Sequence, residues 1–427
     1  MLLRAIPVAL ALAAAAATGA MANPIEILFL GNSFTHGRYD PVRNYNAGFG
    51  ANDVHDLLCP TAATCTEPSV QVDPALNPPP GATLGAQLNY LSTNPNAQYN
   101  ETGPEGGIPG IFLQFTREAG LDYDVSILAV SSASLTGYTT GTSKAYAPQI
   151  ESAKWDHVVL QDQSFEPLPN PIQVNGQSVA TRGNFAKFET GVNQIVAGVD
   201  AADAAAGKPS AAVTLYETQP LASYAYTSNN PNQPIFGSST SAPGGPNAPY
   251  VGDPDPLGAM AGDLHNAYEK AAADEMSANP AGSRLGVALA GDAWITAMNE
   301  GIAQRDPYLL NEPAGRVDLW DSDPLDACCT TPVGYHQSTY GAYLNALVLF
   351  DEITGVNPET LNGEFVPGDP NSAAAALGIS PEIARALARA AYRTVQAGGP
   401  VPEPASLAVL GAALAALGAL RQVVKRR

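Results

Sequence analysis

Basic residues are scarce in this chain. Its 427 residues hold 20 Lys and Arg against 40 Asp and Glu, a formal net charge of −20. A body this acidic repels nucleic acid and anionic lipid, which excludes nucleic acid as a partner. Charge of either sign is thin, at 14% of residues, whereas a hydrophobic share of 45% suffices for a substantial core. The chain has no Gly-rich phosphate loop and no EF-hand-type loop. It has only four cysteines, at spacings that match no zinc site, so neither a metal nor a cofactor is expected. Few cysteines in even number fit disulfides formed in an oxidising compartment. Cys59 and Cys65 close a small loop around Pro60 and form the favoured pair. That leaves the adjacent Cys328 and Cys329 to form a strained ring; the alternative ties the early pair across to the late one.

The two ends read as addresses. Residues 1–22 combine Arg4, the apolar stretch Ile6 to Ala17 and the small-x-small site Ala20-Met21-Ala22, the layout of a cleaved signal peptide. The other end, 399–427, carries Val401-Pro402-Glu403-Pro404, an apolar run from Ala405 to Leu420, and a close of Arg421, Lys425, Arg426 and Arg427. About sixteen apolar residues are slightly short for a relaxed spanning helix, and the basic end would face the cytoplasm. This three-part pattern resembles the PEP-CTERM sorting signal. The resemblance implies export across the inner membrane, transient membrane contact through the C-terminal helix, recognition by an exosortase and removal of the tail. The destination would be the cell surface or the extracellular space.

Between the ends, apolar runs alternate with helical patterns. Ile25–Leu30, Val125–Val130, His157–Gln161, Ala212–Tyr216 and Leu285–Leu289 are rich in Val, Ile and Leu and bounded by turn residues, as buried parallel strands are. Helical spacing covers Ile108–Ala119, Gly183–Ala205, Leu257–Met276, Ser338–Thr354 and Pro381–Gln396, with Gly355 as a C-terminal stop and Ser380 as an N-terminal cap. The alternation predicts an α/β fold, a three-layer α/β/α sandwich around a central parallel, flavodoxin-like sheet of about five strands. Stretches 51–105 and 220–256 read as long loops, in keeping with 40 glycines and 37 prolines. Neither a repeat nor a shift of composition divides 23–398, so one domain is expected there.

The first strand delivers Gly31-Asn32-Ser33-Phe34-Thr35 at its carboxyl end, where open α/β sheets place their sites. Taken alone, such a turn is more often a helix cap than a nucleophile. It is also not the Gly-x-Ser-x-Gly elbow. Three segments in order change the reading: Ile27-Leu-Phe-Leu-Gly-Asn-Ser-Phe-Thr35, Trp155-Asp-His-Val-Val-Leu-Gln-Asp-Gln-Ser164, and Tyr335-His-Gln-Ser-Thr-Tyr-Gly-Ala-Tyr-Leu344. Together they resemble the SGNH (GDSL-type) hydrolases, in particular a divergent bacterial branch, over most of 24–358.

That resemblance implies a serine esterase with Ser33 as nucleophile and His336 as general base. The oxyanion donors it implies are the Ser33 N–H, the N–H of Ser132 where the family has glycine, and the Gln163 amide where it has asparagine. His36 would lie on the first helix as a pocket wall. The chain departs from the family's Asp-x-x-His: Val333 stands three before His336. Looping out 325–334 leaves Asp323-Pro324-Tyr335-His336, so Asp323 is the favoured acid, with Asp326 and then Asp321 behind it. Asp292 reads as a helix cap and Trp294 as core, whereas Tyr224 and Tyr226 are candidates to line a sugar site. The implied substrate is an ester or acylated carbohydrate. The alternative is a non-catalytic surface protein on the same scaffold.

Overall fold

Strands in a parallel sheet are covered on both faces, so successive residues tend to be apolar. The computed structural model describes residues 23–62, 65, 103–141, 143–226, 248–307, 315–321 and 334–398. In it the apolar runs form β1 (Ile25–Gly31), β3 (Tyr123–Ala129), β4 (His157–Leu160), β7 (Ala212–Tyr216) and β8 (Leu285–Ala288), and a two-residue strand, β2 (His55–Asp56), joins them. The sheet is six-stranded, in the order β2-β3-β1-β4-β7-β8. Every pairing in it is parallel. Without edge strand β2 the order is that of a flavodoxin-like sheet. A separate antiparallel hairpin, β5 (Ile172–Val174) and β6 (Gln177–Val179), turns at Asn175-Gly176. Both turn residues have positive φ, 50° and 75°, as a two-residue hairpin turn requires.

Helices cover both faces. They include α1 (Ser33–His36), α2 (Gly107–Glu118), α3 (Leu135–Thr139), α4 (Phe185–Ala206), α5 (Pro256–Ala278), α6 (Ala290–Asn299), α7 (Thr339–Thr354) and α8 (Pro381–Ala397). Alternation along β1 sorts its side chains into two cores. Ile27 and Phe29 join Phe112, Phe115, Tyr343 and Phe350 of α2 and α7. Leu28 and Leu30 face the other way, with Val192 and Ile195 of α4 and Tyr268 of α5. Each such fully buried side chain contributes roughly 1.5–3 kcal/mol. The architecture is thus a three-layer α/β/α sandwich. Ser338 caps α7 by accepting from the Gly341 N–H, and Ser380 caps α8 by accepting from Ile383. Gly355 ends α7 in the left-handed conformation, φ 67°.

Residues 1–22 and 399–427, the proposed leader and tail, lie outside the described residues, as do much of the 51–105 and 220–256 stretches and nearly all of 325–334. Among the described residues no helix is long and apolar enough to cross a membrane. Cys59 and Cys65 are joined in a disulfide. Cys328 and Cys329 lie outside the described residues.

Candidate active site

The carboxyl end of β1 turns sharply into α1, and neighbouring side chains hold the turn from below. Asn32 caps α1, its Oδ1 accepting from the Phe34 N–H at 3.1 Å. The Asn32 amide nitrogen donates to Ala133 O at 2.9 Å, tying this turn to the one after β3. Gln161, buried just past β4, accepts through Oε1 from the Asn32 N–H and from Thr35 Oγ1, both at 3.0 Å. Tyr138 on α3 donates to Gly31 O at 2.6 Å. The close approach explains the glycine at 31: a Cβ there would fall 2.1 Å from Thr35 Oγ1 and 2.6 Å from Gln161 Oε1.

Ser33 is the first residue of α1, and its hydroxyl lies 3.0 Å from His336 Nε2. Both residues are nearly buried, at 8% and 4% exposure. With the proton on Nδ1 of the ring, Nε2 accepts from the serine hydroxyl, the arrangement a general base needs. The site occupies the sheet's carboxyl rim between β1 and β4, where the chain switches from building one side of the sheet to the other.

The turn holding His336 is braced from several directions. Trp320 and Gln337 form an antiparallel bridge. The Asp321 N–H donates to His336 O at 2.9 Å, and Ser338 Oγ donates to Asp318 O at 2.7 Å. Gln337 Nε2 donates to Phe34 O at 2.9 Å, which joins this turn directly to α1. The imidazole packs among the rings of Phe34, Tyr39 and Tyr335. Of the three candidate acids, Asp323 and Asp326 lie outside the described residues. Asp321 meets the His336 turn through its main chain.

Ser132 sits in the turn after β3 with φ 61°, the left-handed conformation that glycine adopts without strain. The same turn is bound to the nucleophile turn, since the Val130 N–H donates to Gly31 O at 3.2 Å. Gln163 is engaged locally: its Nε2 donates to Ser164 Oγ at 3.0 Å and its Oε1 accepts from the Phe165 N–H at 3.4 Å. Its predecessor Asp162 is buried and accepts from the Leu135 N–H at 2.8 Å. Burial, then the neighbouring Glu166, pushes the Asp162 carboxyl well above the usual range.

His36 is fully buried instead of lining an open pocket. Its Nε2 lies 3.1 Å from Ser131 Oγ and its Nδ1 3.6 Å from Glu105 Oε1. Burial first, then Arg38 and Arg43, holds this imidazole well below its ordinary range. Asp292 is not the cap of α6, which is Leu289. It lies in the first turn, fully buried, with Oδ2 2.7 Å from His265 Nδ1. Trp294 is core, as expected, and donates from Nε1 to Asn345 Oδ1 at 2.7 Å. Tyr224 is buried, its hydroxyl accepting from the Arg182 N–H at 2.8 Å, so it presents no sugar platform; Tyr226 is half-buried. A separate groove of about 680 Å³, lined by Pro169, Phe185 and Lys270 among others, includes neither Ser33 nor His336. Gln161, Tyr138 and Asp162 carry no role in the sequence reading, although two of them stand in the motif beside Gln163.

No family model matches the chain, and no curated protein matches it. Among solved structures the chain is similar to a protein from Slackia heliotrinireducens named "a putative SGNH hydrolase". Identity is 17%, over 78% of this chain and 100% of that one, with a TM-score of 0.32. A likeness this distant says nothing of chemistry.

Proposed function

We propose that this chain is an exported serine hydrolase acting on ester bonds, with acylated extracellular polysaccharide as its substrate class. The observation that carries the proposal is the buried 3.0 Å contact between Ser33 Oγ and His336 Nε2 at the carboxyl rim of the sheet. A serine hydroxyl is a weak nucleophile at neutral pH and needs such a base. His336 takes the hydroxyl proton as Ser33 attacks the ester carbonyl, and the tetrahedral oxyanion forms. The backbone N–H groups of Ser33 and Ser132, with the Gln163 amide, are assigned to hold that charge. Collapse expels the alcohol, which takes the proton from His336 and leaves an acyl-enzyme. Water, activated by the same imidazole, then releases the acid. Asp323 is assigned to orient His336, stabilising the imidazolium that forms.

The terminal segments extend the reading: the leader directs export, and the Pro402-Glu403-Pro404 tail is a substrate of an exosortase. The local bonding of the Gln163 amide favours the second reading, a non-catalytic surface protein on the same scaffold. Hydrolysis of a chromogenic acetate ester and of acetylated polysaccharide by the purified chain separates the two. Hydrolysis that falls at least about a thousandfold in Ser33→Ala supports the esterase. A folded native chain that releases no acid from either substrate supports the second reading.

A further inference from the structure

A second group of functional side chains lies on the same rim of the sheet, beyond β7 and β8. Glu217 directly follows β7, Asp292 stands in the first turn of α6, which follows β8, and His265 lies on α5. Glu217 and Asp292 are both fully buried. One ligand atom from each of Glu217, His265 and Asp292 lies within 4.8 Å of the others. His265 Nδ1 is 2.7 Å from Asp292 Oδ2, and the Asp292 N–H donates to Glu217 Oε2 at 3.2 Å. The second oxygens, Glu217 Oε1 and Asp292 Oδ1, are buried and have no partner in good hydrogen-bond geometry among the described residues, although the Gly291 N–H also faces the Glu217 carboxylate. The approach is tight. A Cβ on Gly291 would fall 3.1 Å from the Glu217 carboxyl carbon and 2.6 Å from Thr218 O.

Two buried carboxylates side by side require compensation, because an unpaired buried charge is costly. A single imidazolium neutralises at most one of them. Two agents remain: a proton shared between the acids, or a dication held by both acids and the imidazole. One ring nitrogen with two carboxylates is a ligand set of borderline first-row metals. It is too poor in oxygen for calcium, which takes six to eight oxygen ligands. The His265 side chain is 25% exposed, which gives an ion a path from solvent and leaves room for water as a further ligand. Ligands of a tetrahedral zinc sit roughly 3.3 Å apart for bonds of about 2.0–2.1 Å, so the 2.7 Å His265–Asp292 pair widens slightly while the three ligand atoms, within 4.8 Å of one another, settle to that spacing.

We propose that Glu217, His265 and Asp292 bind a divalent transition-metal ion of the zinc or manganese class. The ion clamps the carboxyl ends of β7 and β8 to α5. It also steadies the segment leading to Gln219, whose Nε2 lies 3.4 Å from Gln337 Oε1 beside His336. The proposal is independent of whether Ser33 cleaves esters.

The test is metal content by mass spectrometry on the full chain purified without chelator, together with thermal unfolding after EDTA treatment and after adding back zinc or manganese. The expected result is about one ion per chain, a melting temperature lowered by several degrees on chelation, and recovery with one of the two cations. Glu217→Gln and His265→Ala are expected to lose the ion and the recovery. Because His265 is partly exposed, its variant stays informative should Glu217→Gln fail to fold. A native chain without metal, whose melting temperature neither cation moves, overturns the proposal in favour of a shared proton. Full metal retention in His265→Ala overturns it as well.

Discussion

Substituting alanine for Gly31 tests the tightness of the turn that presents Ser33. The added Cβ would fall 2.1 Å from Thr35 Oγ1, 2.6 Å from Gln161 Oε1 and 2.9 Å from Thr35 Cβ. Thr35 cannot stay, and Gln161 cannot keep both of its contacts, since the Asn32 N–H and the Thr35 hydroxyl share Oε1. Overpacking a filled site costs typically 1–3 kcal/mol. Each lost buried hydrogen bond adds roughly 0.5–1.5 kcal/mol. The expected destabilisation is therefore about 2–5 kcal/mol, read from urea unfolding midpoints at constant slope. Fluorophosphonate labelling of Ser33 should slow with it, because the displaced turn carries the hydroxyl away from His336. Gly262→Ala is the control. Gly262 lies inside α5 with nothing within 4 Å of its Cβ position, so the same added methyl should stabilise by about 0.5–1 kcal/mol. If Gly31→Ala unfolds within about 0.5 kcal/mol of the native chain, the close-packed turn does not exist as described.

Ser132→Gly should keep full labelling and change stability by at most about 1 kcal/mol, because relief of the left-handed strain offsets glycine's entropy. Ser132→Val should destabilise by about 1–2 kcal/mol at the same φ; equal stabilities in urea melts would contradict the assigned conformation. Burial raises the Asp318 carboxyl from 3.8 to about 7. A folded pKa above the unfolded one gives stability that is complete below about 3.8 and lost as pH rises through about 7. Asp318→Asn keeps an acceptor for the Trp320 N–H, so its stability relative to the native chain should climb between pH 4 and pH 8 in a series of thermal melts. Superimposable pH profiles would refute this. Cys59→Ser opens a short disulfide loop of sequence separation 6 and should cost about 2 kcal/mol, measured by urea unfolding without reductant.

The fold was readable in the sequence wherever burial was complete. The five long strands of the parallel sheet are covered on both faces, so they appear as continuous apolar runs that end within a few residues of the observed bounds. Strand β2 has two residues and leaves no pattern. The hairpin at 172–179 carried an Asn-Gly turn signal, but its arms of three residues each are too short to display alternation. The Ser33–His336 contact was legible because each residue sits in a motif at the mouth of a predicted element. Gln161 was hidden by its position: the strand ends at Leu160, one residue earlier than expected, which turns Gln161 under Asn32. Glu217, His265 and Asp292 come from separate elements and share no spacing, so only the fold assembles them. A helix expected to start at Asp292 makes a cap the natural reading, yet the helix begins at Ala290 and the carboxylate turns inward to His265.

The central claim is that Ser33 is a hydroxyl activated by His336. The most direct measurement is the intact mass of the purified chain after incubation with a fluorophosphonate, followed by peptide mapping of the adduct. The account predicts one phosphonyl adduct on Ser33, absent in Ser33→Ala and formed far more slowly in His336→Ala. A folded chain that acquires no adduct, or one that carries it on another serine, would contradict the account.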